Sequence, residues 1–354
     1  MIELHCSGTH YEIGYKHGSE AKELVHGSLE FYTEFFIKYA KMSWAKAEKA
    51  AAPFLPYLEE HVPHLVEEMR GIADGAGVTF DAILALNARS EIAMGMMDDG
   101  CTSLSWKSGD FAIGAQNWDW EEPQKGRLVL MHIKPAKDGL VQRPNICLAT
   151  EAGMLSKSGL NSAGVAVLVN AIMARGVNYK ALPFHVTIRA ALDCETRLKA
   201  VARIRSLGLG TSAHLMFADK TGGTSLEFSH MDVVQMGMVD GKIAHTNHFL
   251  QKHDESVIDK VIFPDSISRQ ERITQLLNEG SDRVKEGQSP VSCVEKMLED
   301  EQNFPTGINR KSSPIRMSET LYSFVADLNT KTVSFRLGRP NEPEGTWILK
   351  PAEL

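Results

Sequence analysis

The Gly100-Cys101 pair has the residue types needed for self-cleavage followed by nucleophilic catalysis. Glycine has no Cβ, so a thiolate can approach its carbonyl carbon closely in a tight turn after Asp98 and Asp99. Attack by the Cys101 thiol would give a thioester, and hydrolysis would leave Cys101 at a new N-terminus. Its α-amine, with an ordinary pKa of about 7.7 to 8.0, could then accept the thiol proton. Taken alone, the dipeptide also fits a buried structural cysteine after a turn.

Metal ligation and disulfide bonding are both poorly supported by the sequence. His245 and His248 lie three residues apart, but no third ligand follows at a suitable spacing, so we predict no metal site and no cofactor. The other cysteines have neither CxxC spacing nor a motif around them, and we expect buried thiols at Cys6, Cys147, Cys194 and Cys293.

The elements that would position Cys101 change character at this point of the chain. Helical periodicity covers about His10 to Ala88 and predicts a mostly α-helical first hundred residues. After Cys101, short β-type runs are separated by turn residues. Helical patterns return at about residues 184–207, 266–277 and 291–298. Because strands and helices come in blocks, the pattern favours an α+β fold over a doubly wound sheet. The glycine-rich segment 71–77 is interpreted as a helix end and turn.

Composition narrows the possible partners. A net charge of −7 and the absence of a Lys/Arg run disfavour nucleic acid. No apolar run is long enough for a membrane span, and the first residues lack the pattern of a signal peptide. The C-terminal Pro-Ala-Glu-Leu differs from the peroxisomal Ser-Lys-Leu signal, so a cytoplasmic location is expected.

Motifs along nearly the whole chain resemble one enzyme family, the acyl-coenzyme A:6-aminopenicillanic acid (isopenicillin N) acyltransferases of the N-terminal-nucleophile superfamily. They are Gly8-Thr9, Glu12-Ile13-Gly14-Tyr15, His17-Gly18-Ser19, Arg70-Gly71-Ile72-Ala73, Asp99-Gly100-Cys101-Thr102, Gln116-Asn117-Trp118-Asp119, Glu151-Ala152-Gly153, Asn161-Ser162-Ala163-Gly164-Val165, Leu226-Glu227-Phe228-Ser229, His245-Thr246-Asn247-His248 and Leu337-Gly338-Arg339-Pro340.

This resemblance implies a four-layer αββα sandwich formed by a single domain, residues 1–354. It also implies an inactive precursor, or zymogen, that cuts itself into a mostly helical chain 1–100 and a catalytic chain 101–354, which stay associated. Cys101 would be the nucleophile of cleavage and of acyl transfer. Asp119 would orient Cys101 or its amine, and the side-chain amide of Asn247 would be an oxyanion donor.

Two substrate-binding residues follow less directly from the resemblance. Ser229 resembles a serine of the family's substrate pocket, although a serine can equally satisfy buried backbone groups. The family has an arginine in a Ser-Arg-Gly-Ala-Thr run, whereas this chain reads Ser313-Pro314-Ile315-Arg316. Arg316 is in register with the family's arginine only if one residue is gapped, so recognition of a penicillin carboxylate, and a place in penicillin-type secondary metabolism, depend on that gap.

The leading hypothesis is a cysteine N-acyltransferase that moves an acyl group from acyl-CoA or an amide to an amine through a Cys101 thioester. Its partners would be these small molecules and its own cleaved 1–100 chain. One alternative is an amidohydrolase of N-acyl amino acids, N-acylated amines or small peptides. Another is an inactive relative, since the segment around Arg316 departs from the family.

Overall fold

A computed structural model describes residues 1–93, 100–257, 264–314 and 316–352. Asp98 and Asp99 of the predicted turn lie outside these residues. The α-helices of the described residues are α1 (His10–Glu20), α2 (Lys22–Phe35), α3 (Trp44–Ala51), α4 (Leu55–His61), α5 (Pro63–Ala76), α6 (Phe80–Asn87), α7 (Arg89–Ala93), α8 (Phe184–Leu192), α9 (Arg197–Leu207), α10 (Pro264–Lys285) and α11 (Pro290–Leu298). The strands are β1 (Ile2–Gly8), β2 (Gly100–Ser108), β3 (Phe111–Glu121), β4 (Leu128–Pro135), β5 (Ile146–Glu151), β6 (Ser158–Asn161), β7 (Ala166–Ala171), β8 (Ala213–Asp219), β9 (Gly222–Phe228), β10 (Val233–Gly237), β11 (Lys242–His245), β12 (Ser318–Asp327), β13 (Thr332–Leu337) and β14 (Gly345–Leu349).

The strands form two sheets that pack face to face. One has the order β1-β4-β5-β6-β7-β8-β9-β10 and the other the order β11-β2-β3-β12-β13-β14. Strands β2 and β3 contact β7 and β8 across the interface, α1, α8 and α9 cover the first sheet, and α10 and α11 cover the second. The predicted α+β, four-layer αββα sandwich is therefore confirmed. No helix of the described residues is long and apolar enough to cross a membrane.

Helices α1 and α5 approach each other backbone to backbone through glycines. A Cβ added at Gly14 would lie 1.9 Å from the carbonyl oxygen of Glu68, and one at Gly71 would lie 2.1 Å from that of Tyr11. Only glycine permits this contact. The interpretation of segment 71–77 as a helix end and turn is wrong for Gly71, which lies inside α5, and is confirmed for Gly77, which ends the helix with φ = 71°.

The strand pair β2–β3 positions the candidate site. Strand β2 begins at Gly100, where the composition changes, and Gly100 pairs with Asp119 while Cys101 pairs with Trp118. On the other side of β3, Thr320 of β12 pairs with Asp119. These residues are buried because both faces of the strands are covered. The start of β2 therefore lies inside the molecule and beside a carboxyl group.

Candidate active site

Both backbone groups of Cys101 are held by side chains. Its N–H donates to Oδ1 of Asn247 at 2.8 Å, and its carbonyl oxygen accepts from Nη1 of Arg269 at 2.6 Å. Arg269 also donates to Thr102 Oγ1 at 3.1 Å. Only 1% of Cys101 is exposed. The cysteine is therefore fixed at the strand end and shielded from solvent.

Asp119 is a fully buried carboxyl group next to Gly100. Its Oδ1 accepts from Thr320 Oγ1 at 2.7 Å, and its Oδ2 lies 3.7 Å from Nε of Arg310. Oδ2 accepts no hydrogen bond from any described residue. Burial raises the pKa of Asp119 from 3.8 to about 6, although the nearby arginines oppose this shift. A proton can therefore exchange at this carboxyl near neutral pH.

Gly100 leaves room for Asp119 and Arg310. A Cβ at position 100 would lie 2.7 Å from Asp119 Oδ2 and 2.9 Å from Arg310 Nη1. An alanine at position 100 would therefore force one of these buried groups to move. The absence of a side chain at Gly100 thus brings the carboxylate against the Gly100-Cys101 junction.

Asn247 is oriented by four hydrogen bonds. Its Oδ1 accepts from Cys101 N–H and from Arg269 Nη2 at 3.0 Å, while its Nδ2 donates to the carbonyl oxygen of Ala171 at 3.0 Å. Its own N–H donates to Ser266 Oγ at 2.8 Å. In the continuous chain, the amide oxygen of Asn247 faces the Cys101 nitrogen and the amide donor is engaged elsewhere. The oxyanion role stays a prediction.

A cluster of arginines around Asp265 supports these residues. Arg269 and Arg316 approach the Asp265 carboxylate at 3.4 and 2.9 Å, and Arg310 also pairs with it. Burial would raise the pKa of Asp265, but the three guanidinium groups outweigh it and hold the pKa below its ordinary value. Asp265 therefore remains ionised and balances part of the positive charge next to Cys101.

Comparisons with known proteins show the family to which this chain belongs. Residues 106–342 match the model of the family described as "Acyl-coenzyme A:6-aminopenicillanic acid acyl-transferase". Over 360 aligned residues, the chain is 36% identical to the acyl-coenzyme A:6-aminopenicillanic-acid-acyltransferase 40 kDa form of Emericella nidulans, with coverage of 100% of this chain and 97% of the relative. The chain belongs to this acyltransferase family.

Solved structures show the same fold at low sequence identity. Two structures of variants of the conjugated bile acid hydrolase from Clostridium perfringens match with TM-scores of 0.50 and 0.52. Each is 10% identical, and the match covers 71% of this chain and 92% of the hydrolase. The architecture of this acyltransferase family member is thus that of the N-terminal-nucleophile hydrolases.

The predicted residues Cys101, Asp119 and Asn247 are brought together, but Ser229 is not bonded to them. The Ser229 hydroxyl accepts from the N–H groups of Met231 and Asp232 at 3.1 and 3.0 Å and donates to the Asp232 carboxylate. Within the described residues, all its hydrogen bonds therefore stay in the turn that follows β9. Its place in a substrate pocket stays a prediction.

His245 and His248 are held by polar side chains behind the site. Nε2 of His245 lies 2.7 Å from Glu227, and Nδ1 of His248 lies 2.8 Å from Ser266 Oγ. Glu227 also accepts from the N–H groups of Leu250 and Gln251 at 2.6 and 3.0 Å. The Leu-Glu-Phe-Ser motif of the family thus supplies the carboxylate that fixes the loop carrying Asn247.

Two arginines at the site, Arg269 and Arg310, were not predicted from the sequence, which indicated Arg316 instead. Arg316 pairs with Asp265. Arg310 lies beside Asp119, and Arg269 donates a hydrogen bond to the carbonyl oxygen of Cys101. A signal for Arg269 exists, because it lies on the buried stripe of α10 that also contains Ile273 and Leu276. An arginine on the apolar face of a helix requires buried acceptors.

Proposed function

We propose that this chain is a self-processing acyltransferase precursor in which Cys101 cuts the Gly100-Cys101 bond and then transfers acyl groups from a thioester donor to an amine. The observation that carries the proposal is the placement of this junction. The peptide nitrogen of Cys101 is held by Asn247, its carbonyl by Arg269, and Asp119 lies against Gly100.

The cleavage step uses the Cys101 thiol and one water molecule. Sγ of Cys101 bonds to the carbonyl carbon of Gly100, the bond from that carbon to the Cys101 nitrogen breaks, and the thiol proton ends on the departing nitrogen. Water then hydrolyses the thioester, which gives the Gly100 carboxylate and restores the thiol. With its pKa raised to about 6, Asp119 can accept or return a proton in both steps.

Burial supports the idea that cleavage precedes acyl transfer. Cys101 is 1% exposed, and the cavity beside Ala171 has a volume of only about 20 Å³. That cavity is lined by Ser90, Ala171 and Thr211 among others and holds about one water molecule. Cleavage before transfer is therefore inferred from the burial of Cys101 itself. A new N-terminus at Cys101 would release the strand end and supply an α-amine as the base.

The transfer step has a covalent intermediate. The Cys101 thiol passes its proton to the new α-amine, and the thiolate attacks the carbonyl carbon of acyl-CoA. An acyl-enzyme thioester forms while the CoA thiolate leaves and takes that proton from the α-ammonium group. An amine then attacks this thioester, loses a proton to the regenerated thiolate and leaves as an amide. The names of the family and of the curated relative support acyl-CoA as donor and 6-aminopenicillanic acid as the first acceptor to test.

Hydrolysis is the second candidate function, because the structural neighbours include a conjugated bile acid hydrolase. Here an amide substrate would acylate Cys101, its amine would leave, and water would complete the reaction. Incubation with acyl-CoA and an amine, and separately with N-acyl amines, distinguishes the two. Release of CoA together with formation of the new amide supports transfer. Amide hydrolysis without any acyl transfer would exclude it.

Intact-mass measurement under denaturing conditions tests the maturation. We expect the wild type to give two fragments that separate between Gly100 and Cys101, while Cys101→Ala stays whole. Cys293→Ala is the matched control, since that thiol lies in α11 away from the junction, and it should be cut like the wild type. A wild-type chain that stays whole would support the inactive-relative hypothesis instead.

A further inference from the structure

Strands β1 and β4 bring three potential metal ligands together on one exposed face. His5 of β1 is in register with His132 of β4, and Glu3 precedes His5 by two residues on the same face of β1. Leu4 and Cys6 alternate with them and are buried, which fixes the direction in which Glu3 and His5 point. The parallel pairing thus creates the cluster.

The side chains of this cluster already converge. Nε2 of His132 lies 2.6 Å from Oε1 of Glu3, and the rings of His5 and His132 stack with their centroids 4.5 Å apart and their planes 7° apart. One ligand atom from each of the three residues lies within 4.8 Å of the other two. This is the only such group of three His, Cys, Asp or Glu residues within the described parts of the chain.

We propose that Glu3, His5 and His132 form a binding site for a divalent transition metal, with Zn²⁺ as the best match. Two imidazoles and a carboxylate are a ligand set that Zn²⁺ uses, and imidazole disfavours Mg²⁺ and Ca²⁺. Three protein ligands leave a fourth position for water. On binding, the proton of His132 must reside on Nδ1, and the hydrogen bond between Nε2 and Glu3 is replaced by shared contact with the metal.

The site lies between a buried and an exposed part of one sheet face. Along β4 the same face is buried at Leu130, half-buried at His132 and exposed at Lys134, so the site lies at the edge of the interior. Lys134 pairs in register with Ser7, one step beyond the histidines. The Glu3 carboxylate is the anion within the group itself, and it offsets part of the metal charge.

This site would join two parts of the chain that are far apart in sequence. Glu3 and His132 are separated by 129 positions. Glu3 and His5 precede the Gly100-Cys101 junction and His132 follows it, so a bound metal would link the two pieces after cleavage. This consequence rests on the proposed function, whereas metal binding itself does not.

Titration of the uncut Cys101→Ala chain with Zn²⁺ tests the site independently of cleavage. The other four cysteines are buried, so thiols do not compete for the metal. We expect one Zn²⁺ per chain, with the affinity lowered by more than about tenfold in His5→Ala and in His132→Ala. The exposed His61 lies outside the group, so His61→Ala should bind like the parent. Ca²⁺ should not bind at comparable concentrations.

Equal Zn²⁺ affinity in all four proteins, or no binding by the parent, would overturn the proposal. Circular dichroism of each variant checks that the fold is retained, which matters most for His132→Ala because His132 is half-buried. If the wild type is cut, Zn²⁺ should also raise the urea concentration at which the two pieces separate, and EDTA should reverse this. A Zn²⁺-binding chain that is never cut would contradict the proposed function but not the metal site.

Discussion

Asp119 couples folding to pH because its carboxyl group is fully buried. Its pKa is about 6 in the folded chain, compared with an ordinary value of 3.8 that applies to the unfolded chain. The folded state therefore binds the carboxyl proton more tightly than the unfolded state does. The resulting stabilisation is complete below pH 3.8 and is lost as the pH rises through about 6. At neutral pH the ionised carboxylate therefore lowers the stability of the folded chain.

We expect Asp119→Asn, introduced into the uncut Cys101→Ala chain, to remove this pH dependence. The free energy of unfolding of the variant minus that of its parent should increase by up to about 3 kcal/mol as the pH rises from about 4 to about 8. Urea unfolding of both proteins across this range measures the difference, in which all other titrating groups cancel. A difference that does not change with pH would contradict the raised pKa.

Gly100→Ala probes the close approach of Asp119 at the same junction. The added Cβ must displace a buried carboxylate or guanidinium group, since both lie within 2.9 Å. A displacement of about 1 Å at a reacting bond can cost about a hundredfold in rate, so we expect cleavage to slow by roughly that factor. Mass spectrometry over time measures it. Gly237→Ala, where nothing lies within 4 Å of an added Cβ, should be cut normally, and equal rates would contradict the steric argument.

The three residues bonded or packed at the junction illustrate what sequence can predict about the site. Cys101, Asp119 and Asn247 were identifiable because each stands in a motif of the family. Arg269 is marked only as a cation on the apolar stripe of α10, and Arg310 has no such mark, because the acceptors of both come from distant strands and loops. Outside an amphipathic helix, an arginine in a sequence carries no mark of whether it will be buried.

At the scale of elements, the contact between α1 and α5 depends on glycine. Gly14→Ala would place a Cβ 1.9 Å from the backbone oxygen of Glu68, and backbone cannot rotate away as a side-chain end can. We expect the uncut chain to lose about 3 kcal/mol or more of stability, measured by urea unfolding. A Cβ added at Gly126 would have open space around it, so Gly126→Ala should have nearly the same free energy of unfolding as the parent. Similar losses in both variants would show that the clash is relieved.

The helical periodicity from about His10 to Ala88 matches helices α1 to α6, but the pattern missed β1. The strand is short and contributes only Leu4 and Cys6 to the buried side. Two alternating apolar residues are too few to distinguish an edge strand from a loop. What defines β1 is its parallel pairing with β4, a partner more than a hundred residues later, and a local pattern contains no information about such a partner.

Considered as a whole, the molecule is tied together across the proposed cleavage site. Buried ion pairs join Arg89 to Glu151 at 3.0 Å and Glu68 to Arg189 at 3.1 Å, and β1 is a strand of the first sheet. The hydrophobic core also draws residues from both sides of the junction. Separation of the two pieces would expose this shared apolar core to water, so they should stay associated after cleavage.

This association predicts a difference in the concentration dependence of unfolding between the cut and the uncut protein. Unfolding of the uncut Cys101→Ala chain involves one molecule, so its free energy of unfolding should not depend on protein concentration. Unfolding of the cut wild type releases two pieces, so each tenfold dilution should lower the apparent stability by about 1.4 kcal/mol. Urea unfolding at about 1 µM and about 10 µM protein measures this change in apparent stability.

If the cut protein unfolds at the same urea concentration at both dilutions, the pieces do not separate on unfolding. Separation in native buffer, seen as two peaks in size-exclusion chromatography, would contradict the shared core as the source of stability.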